Sequence, residues 1–243
     1  MADWLTRYRN GQRHVVWQEL ALLGDVRRSG RLEEAQAVCD EMAHRARQNV
    51  ELIVERLTAD GFLFHDNDDE QTPARPHTPP TTEAAAHVEW MEERLGAVPL
   101  TLSSWTRIVG DVWLVGTHPR WQTSAGSDPL VVEVEGSRCS DASLRRYVED
   151  EWQMWQEDGS AGVFVLPLSP DHLHKDNTSG GDPYGVVLPD RRVDGLFSWE
   201  NGMTPFVSYL NRAFQTGGFP MADGEEADAR EVTSRLAQDL LPL

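Results

Sequence analysis

Apolar side chains recur at three- and four-residue spacing along the first quarter of the chain, the mark of helices with one buried face. Between Gln12 and Val26 they are Val15, Val16, Leu20, Leu23 and Val26, with Gly24 as the weak point and Ser29-Gly30 as a turn. From Leu32 to Leu57 the series Leu32, Ala35, Cys39, Met42, Ala46, Ile53 and Leu57 keeps the spacing. Arg45, Arg47, Glu51 and Glu55 fall largely outside that stripe, and Asp60-Gly61 ends it. The pattern predicts an N-terminal helical hairpin over residues 1–64, whose apolar face needs a further surface to pack on.

The periodicity then stops. Residues 65–82, HDNDDEQTPARPHTPPTT, hold four prolines and an acidic run with almost no apolar side chain, which reads as an extended linker. Beyond it, helical spacing returns from Glu83 to Leu95 and in Ala142–Gln156, Thr204–Phe214 and Glu225–Leu240. In the second of these, Leu144, Val148, Trp152 and Trp155 share a stripe, and Ser140 and Asp141 are cap candidates. Short β-branched or aromatic runs at Val112–Val115, Leu130–Val134, Val163–Pro167 and, more weakly, Val186–Leu188 read as strands. The expected fold class is α+β: the hairpin, followed by a small, mostly antiparallel sheet with packed helices over 83–243.

Composition narrows the class. The chain has 243 residues, with 40 acidic side chains against 22 basic ones and a formal charge of −18. Such a field repels phosphate backbones, so nucleic-acid binding is disfavoured, while a basic protein is steered toward it. Solubility alone is a sufficient reason for an acidic surface, so charge does not identify a partner. No apolar run approaches the roughly 18 residues that cross a bilayer, and the N-terminus lacks a basic-then-apolar leader, which reads as a cytoplasmic protein with no membrane contact. Cys39 and Cys139 form no metal-type or disulfide pattern and are expected to be buried small hydrophobes. Lys175 is the sole lysine, a bias expected of GC-rich coding.

The string most suggestive of chemistry is Pro170-Asp171-His172-Leu173-His174-Lys175-Asp176. On a strand, His172 and His174 would face the same way and share a divalent metal, with His118 or Asp176 completing the site. On a loop, the same imidazoles would bond to backbone carbonyls and fix its shape. Gly180-Gly181 follows without the order of a phosphate-binding loop, and no G-x-S-x-G, H-E-x-x-H or zinc-deaminase pattern occurs. Among nine tryptophans, Trp105, Trp113 and Trp152 read as core. Trp121 and Trp199 stand in polar, turn-rich surroundings and are interface candidates, with His118 and Tyr184 beside them as candidate contact residues.

The run from Met91 to Trp105 followed by Val109-Gly110-Asp111-Val112 resembles the opening of a SUKH-superfamily domain. Glu92, Leu95, Gly96, Pro99, Leu102, Trp105, Gly110 and Asp111 stand in that family's order, an acidic helix, a short turn, a second helix and a glycine turn into the sheet. The usual Asn-Gly is replaced here by Val109-Gly110-Asp111. Tyr8 through Leu20, Gly116 through Pro119, Asp128 through Val132, Leu166 through Lys175 and Gly217 through Pro220 also resemble segments of a bacterial family that brings no reaction with it. The SUKH resemblance implies an immunity protein that binds and blocks a toxin. The expected function is a non-enzymatic protein-binding module without cofactor, whose partner is a protein such as a basic toxin. The alternatives are a metal-dependent hydrolase centred on His118, His172 and His174, or a regulatory scaffold.

Overall fold

The computed structural model describes residues 3–121, 125–138, 141–159, 162–222 and 227–243. Helices α1 (Trp4–Arg9) and α2 (Arg13–Ala21) lead through a 3-10 turn at Val26–Arg28 into α3 (Leu32–Ala59). In place of the two-helix hairpin expected over 1–64 there are three helices, with α1 packed on both α3 and α2. In α3 the buried positions Ala35, Val38, Cys39, Met42, Ala46, Val50, Ile53 and Leu57 follow the helical repeat. Its solvent face carries the i,i+4 pair Arg47–Glu51, while the Glu41–Arg45 pair is mostly covered by α1 through Arg9 and the Tyr8 ring. Burial holds the Cys39 thiol well above its ordinary pKa, as expected of an inert core cysteine. Cys139 lies outside the described residues.

Strand β1 (Leu63–Phe64) follows, then β2 (His77–Thr78), α4 (Ala84–Leu95) and α5 (Leu100–Ile108). Helix α5 is buried from Leu100 to Thr106, so its polar groups must be satisfied internally. Ser103 and Thr106 donate to carbonyls one turn back, and Ser104 donates to Asp40 of α3 at 2.7 Å. Next come β3 (Asp111–Trp113), β4 (Gly116–Thr117), β5 (Val131–Val132), α6 (Asp141–Glu157), β6 (Phe164–Ser169) and the single turn α7 (His172–Lys175). Strands β7 (Tyr184–Leu188), β8 (Leu196–Trp199) and β9 (Gly202–Pro205), then α8 (Phe206–Gln215) and α9 (Ala227–Ala237), complete the chain.

All strand pairs are antiparallel: β1 with β4, a three-stranded β2-β3-β5, and a four-stranded β6-β7-β8-β9. The α+β class with N-terminal helices is as expected. Helix α6 lays Trp152 edge-on against Phe164 of β6, with ring centroids 4.7 Å apart.

The segment 65–82 is not a free linker. Its residues His77 and Thr78 pair with Val112 and Asp111, and the N–H of Trp113 donates to the Pro76 carbonyl. Gly110, at φ +85°, lets this segment cross closely, since a Cβ there would strike the backbone of Thr78, Pro79 and Pro80. One apolar core runs from Trp4 and Tyr8 through Met42, Trp105, Val112 and Phe197 to Leu236, so the N-terminal helices and the sheets stabilise each other. No helix among the described residues is long and apolar enough to cross a membrane.

Candidate functional site

The Pro170–Pro183 loop, leaving β6 and returning as β7, organises the candidate site. Asp171 is the N-cap of α7: its Oδ1 accepts from the backbone N–H of Leu173 and His174, and its Oδ2 lies 2.6 Å from Nδ1 of His174. These hydrogen bonds hold the Asp171 carboxyl below its usual range against the opposing effect of its burial. Gly180 passes directly over that carboxylate, where a Cβ would collide with it.

His172 and His174 thus sit on a helical turn rather than a strand. At about 100° per residue, side chains two apart point to opposite sides, so the shared His-x-His metal site does not form. His172 faces a cleft of about 360 Å³ with Tyr184, Trp199 and Glu200; its Nδ1 is 3.2 Å from Glu200 and 3.4 Å from the Tyr184 hydroxyl. His174 faces a second cleft of about 350 Å³ with Glu133 and Tyr147. His118 is elsewhere, buried beside the β1–β4 pair, where its Nδ1 accepts from the Arg120 N–H and its Nε2 lies 3.9 Å from Asp60. Burial lowers its pKa. No group of three or more His, Cys, Asp or Glu side chains suited to a metal ion occurs among the described residues.

The aromatic candidates also separate. Trp121 is fully buried against Phe219, centroids 4.9 Å apart, and is a core residue rather than a surface anchor. Trp199 is partly exposed, edge-on to Tyr209, and lines the His172 cleft together with the buried Tyr184.

Lys175, the last residue of the turn, goes inward. Its ammonium meets Asp128 at 2.5 Å with both side chains wholly buried, and it lies 4.9 Å from the Tyr184 ring centroid. Burial lowers the lysine pKa and the Asp128 charge opposes that. This ion pair pins the loop from below.

The acidic run of the 65–82 segment lies alongside. Asn67 donates to the His174 carbonyl at 2.8 Å, and Asn177 donates to Asp69 at 2.6 Å. Asp66 is held by Arg138, whose guanidinium stacks 3.1 Å from the Trp113 ring centroid and also faces Glu133. The exposed carboxylates Asp69 and Glu70 thus adjoin the loop bearing exposed Asp176 and Asp182, and exposed Glu200 stands at the His172 cleft. Among the described residues, none of these five pairs with a lysine or arginine, and only Glu200 has a histidine. Exposed Leu173 lines the His172 cleft and exposed Tyr147 the His174 cleft.

Glu133 is mostly buried, and burial, reinforced by Asp111 and Asp66 and opposed by Arg138, pushes its pKa up to about 7. A carboxyl whose pKa is higher in the folded than in the unfolded chain stabilises the fold at low pH. That contribution is lost as pH rises from the ordinary value of 4.5 toward 7. Between pH 5 and pH 8 the wild type is expected to lose stability relative to Glu133→Gln by on the order of 1 kcal/mol, measured by urea unfolding at both pH values. Parallel pH dependences would remove Glu133 from this role.

Neither a protein-family model nor a curated protein nor a solved structure matches this chain.

Proposed function

We propose that this protein is a non-enzymatic, cytoplasmic binding module whose acidic face docks on a basic protein. The observation that carries the reading is the joining of the 66–70 acidic run to the 171–183 loop through Asn67 and Asn177. This contact brings exposed Asp69 and Glu70 beside the loop that carries exposed Asp176 and Asp182, none of them with an arginine or lysine partner among the described residues, and Glu200 adds a carboxylate at the neighbouring His172 cleft. Such a surface steers a basic partner and repels a phosphate backbone, and Leu173, Tyr147 and Trp199 supply apolar contact at the two clefts. The Asp171–His174 pair is absorbed by capping and closing the loop, which favours binding over acid–base chemistry. The resemblance of Met91–Trp105 and Val109–Val112 to a SUKH opening favours a toxin as that partner, a regulatory scaffold being the same surface with an endogenous partner.

The test is affinity capture from native-source lysate with wild type and with a variant carrying Asp69→Arg, Asp176→Arg, Asp182→Arg and Glu200→Arg. Wild type is expected to retain a basic protein that moderate salt releases, and the variant to bind it at least about tenfold more weakly with a shallower salt dependence. Equal affinity and equal salt dependence for the two proteins would sink the electrostatic docking.

A further inference from the structure

Another cleft, with a volume of about 790 Å³, is more than twice the size of either cleft on the acidic face. It falls within the roughly 300–1,000 Å³ usual for small-molecule sites. It opens between α2, the loop into β8 and one face of α8 along its length, with Pro242 and Leu243 also in its lining. Arg13 and Trp17, one turn apart, lie on the same side of α2 and both line it. Leu196 and Val207 provide further apolar wall, and Arg192 and Arg212 add two more guanidinium groups. Trp17 is braced edge-on by Tyr8, with ring centroids 6.0 Å apart, so this wall is preformed.

Three arginines and one acidic side chain line this cleft. Arg192 is neutralised by a two-pronged pair with Asp190, at 2.9 and 2.7 Å. Asp194, the acid lining the cleft, already accepts from the Thr101 hydroxyl at 3.1 Å and the Val207 N–H at 3.3 Å. Burial pushes its pKa up to about 7, which reduces its negative charge near neutral pH. Arg13 has no ion-pair partner among the described residues, whereas the Arg212 guanidinium is engaged, donating to the Pro220 carbonyl at 3.1 Å and lying 5.7 Å from the Trp199 ring centroid. In a chain of charge −18, the cleft therefore combines apolar walls with cationic groups.

We infer that this cleft binds an amphipathic anion, a small molecule with one oxyanion head and an apolar body. The body lies against Trp17, Leu196 and Val207, and the head meets the Arg13 guanidinium, whose planar fork matches a carboxylate or sulfonate. Such binding is independent of the acidic face, which repels anions.

The probe is 8-anilinonaphthalene-1-sulfonate titrated into the full chain, with dodecanoate as competitor. Expected are one saturable site per chain, displacement by dodecanoate, and a rise in melting temperature with ligand, since binding favours the folded state. Arg13→Glu is expected to weaken binding at least tenfold, and Ser208→Trp, at an exposed lining position, to block the cleft. Both variants are compared at equal melting temperature in the absence of ligand, and Arg13→Glu alone decides the matter if Ser208→Trp does not fold. Non-saturable dye binding, or saturable binding unchanged in Arg13→Glu, would overturn the assignment.

Discussion

Replacing Lys175 with methionine is expected to cost the fold about 3–5 kcal/mol, because the change strands a buried carboxylate. Asp128 and Lys175 are both wholly enclosed, and the second oxygen of Asp128 has no hydrogen-bond partner among the described residues. The ammonium is thus the main compensation for that charge. For a chain of this length the melting temperature should fall by on the order of 10 °C. Methionine keeps the apolar stem, so the loss reports the charge rather than a cavity. Adding Asp128→Asn should recover much of it, since the amide removes the uncompensated charge and asparagine tolerates the φ of +59° found there. A Lys175→Met change that costs under about 1 kcal/mol in urea unfolding would contradict the pinning role.

The second large effect is expected at Asp111. Its side chain is buried at the start of β3, where Oδ1 accepts from the N–H of Val134 at 2.6 Å and of Glu135 at 2.9 Å. Its Oδ2 accepts from the N–H of Ser137 at 2.6 Å. Asp111→Ala leaves three donors unpaired at once, which should destabilise the protein by about 2–4 kcal/mol; Asp111→Asn, which keeps one carbonyl oxygen, should lose less. The consequence extends to the surface. The loop so held carries Arg138, which positions Asp66 and with it the acidic run, so Asp111→Ala should also weaken binding through the acidic face. Thermal unfolding of both variants checks the first effect, and affinity for the captured partner checks the second.

What could be read from the sequence follows from where each signal lies. Helix α3 is legible because its apolar repeat is long and its polar face carries charge. Helix α5 is hard to find by periodicity because it is buried nearly all round and its serines and threonines bond back to its own carbonyls. Strand β9, Gly202–Pro205, is an exposed edge with no alternation, and the helix expected from Thr204 begins only after it. The 65–82 segment has a linker's composition, yet its partners are Asp111, Val112 and Trp113, more than 30 positions away. No local pattern carries that information.

The candidate site divides the same way. The Asp171–Lys175 string is visible as unusual, but not its geometry. Asp171 as a cap three residues before His174 was the available sign of a helical turn, and it argues against alternate facing of the two histidines. The Lys175–Asp128 pair spans 47 positions and could not be foreseen. Trp121 is flanked by polar residues in sequence while its ring packs on Phe219, nearly a hundred positions later.

Whether the acidic face is the docking surface is tested most directly by amide hydrogen exchange on the chain alone and in complex with its captured basic partner. The account predicts slowed exchange across residues 66–70 and 172–184, with α1 to α3 unchanged. Protection confined to α1 to α3, with the 172–184 loop exchanging as in the free chain, would contradict it.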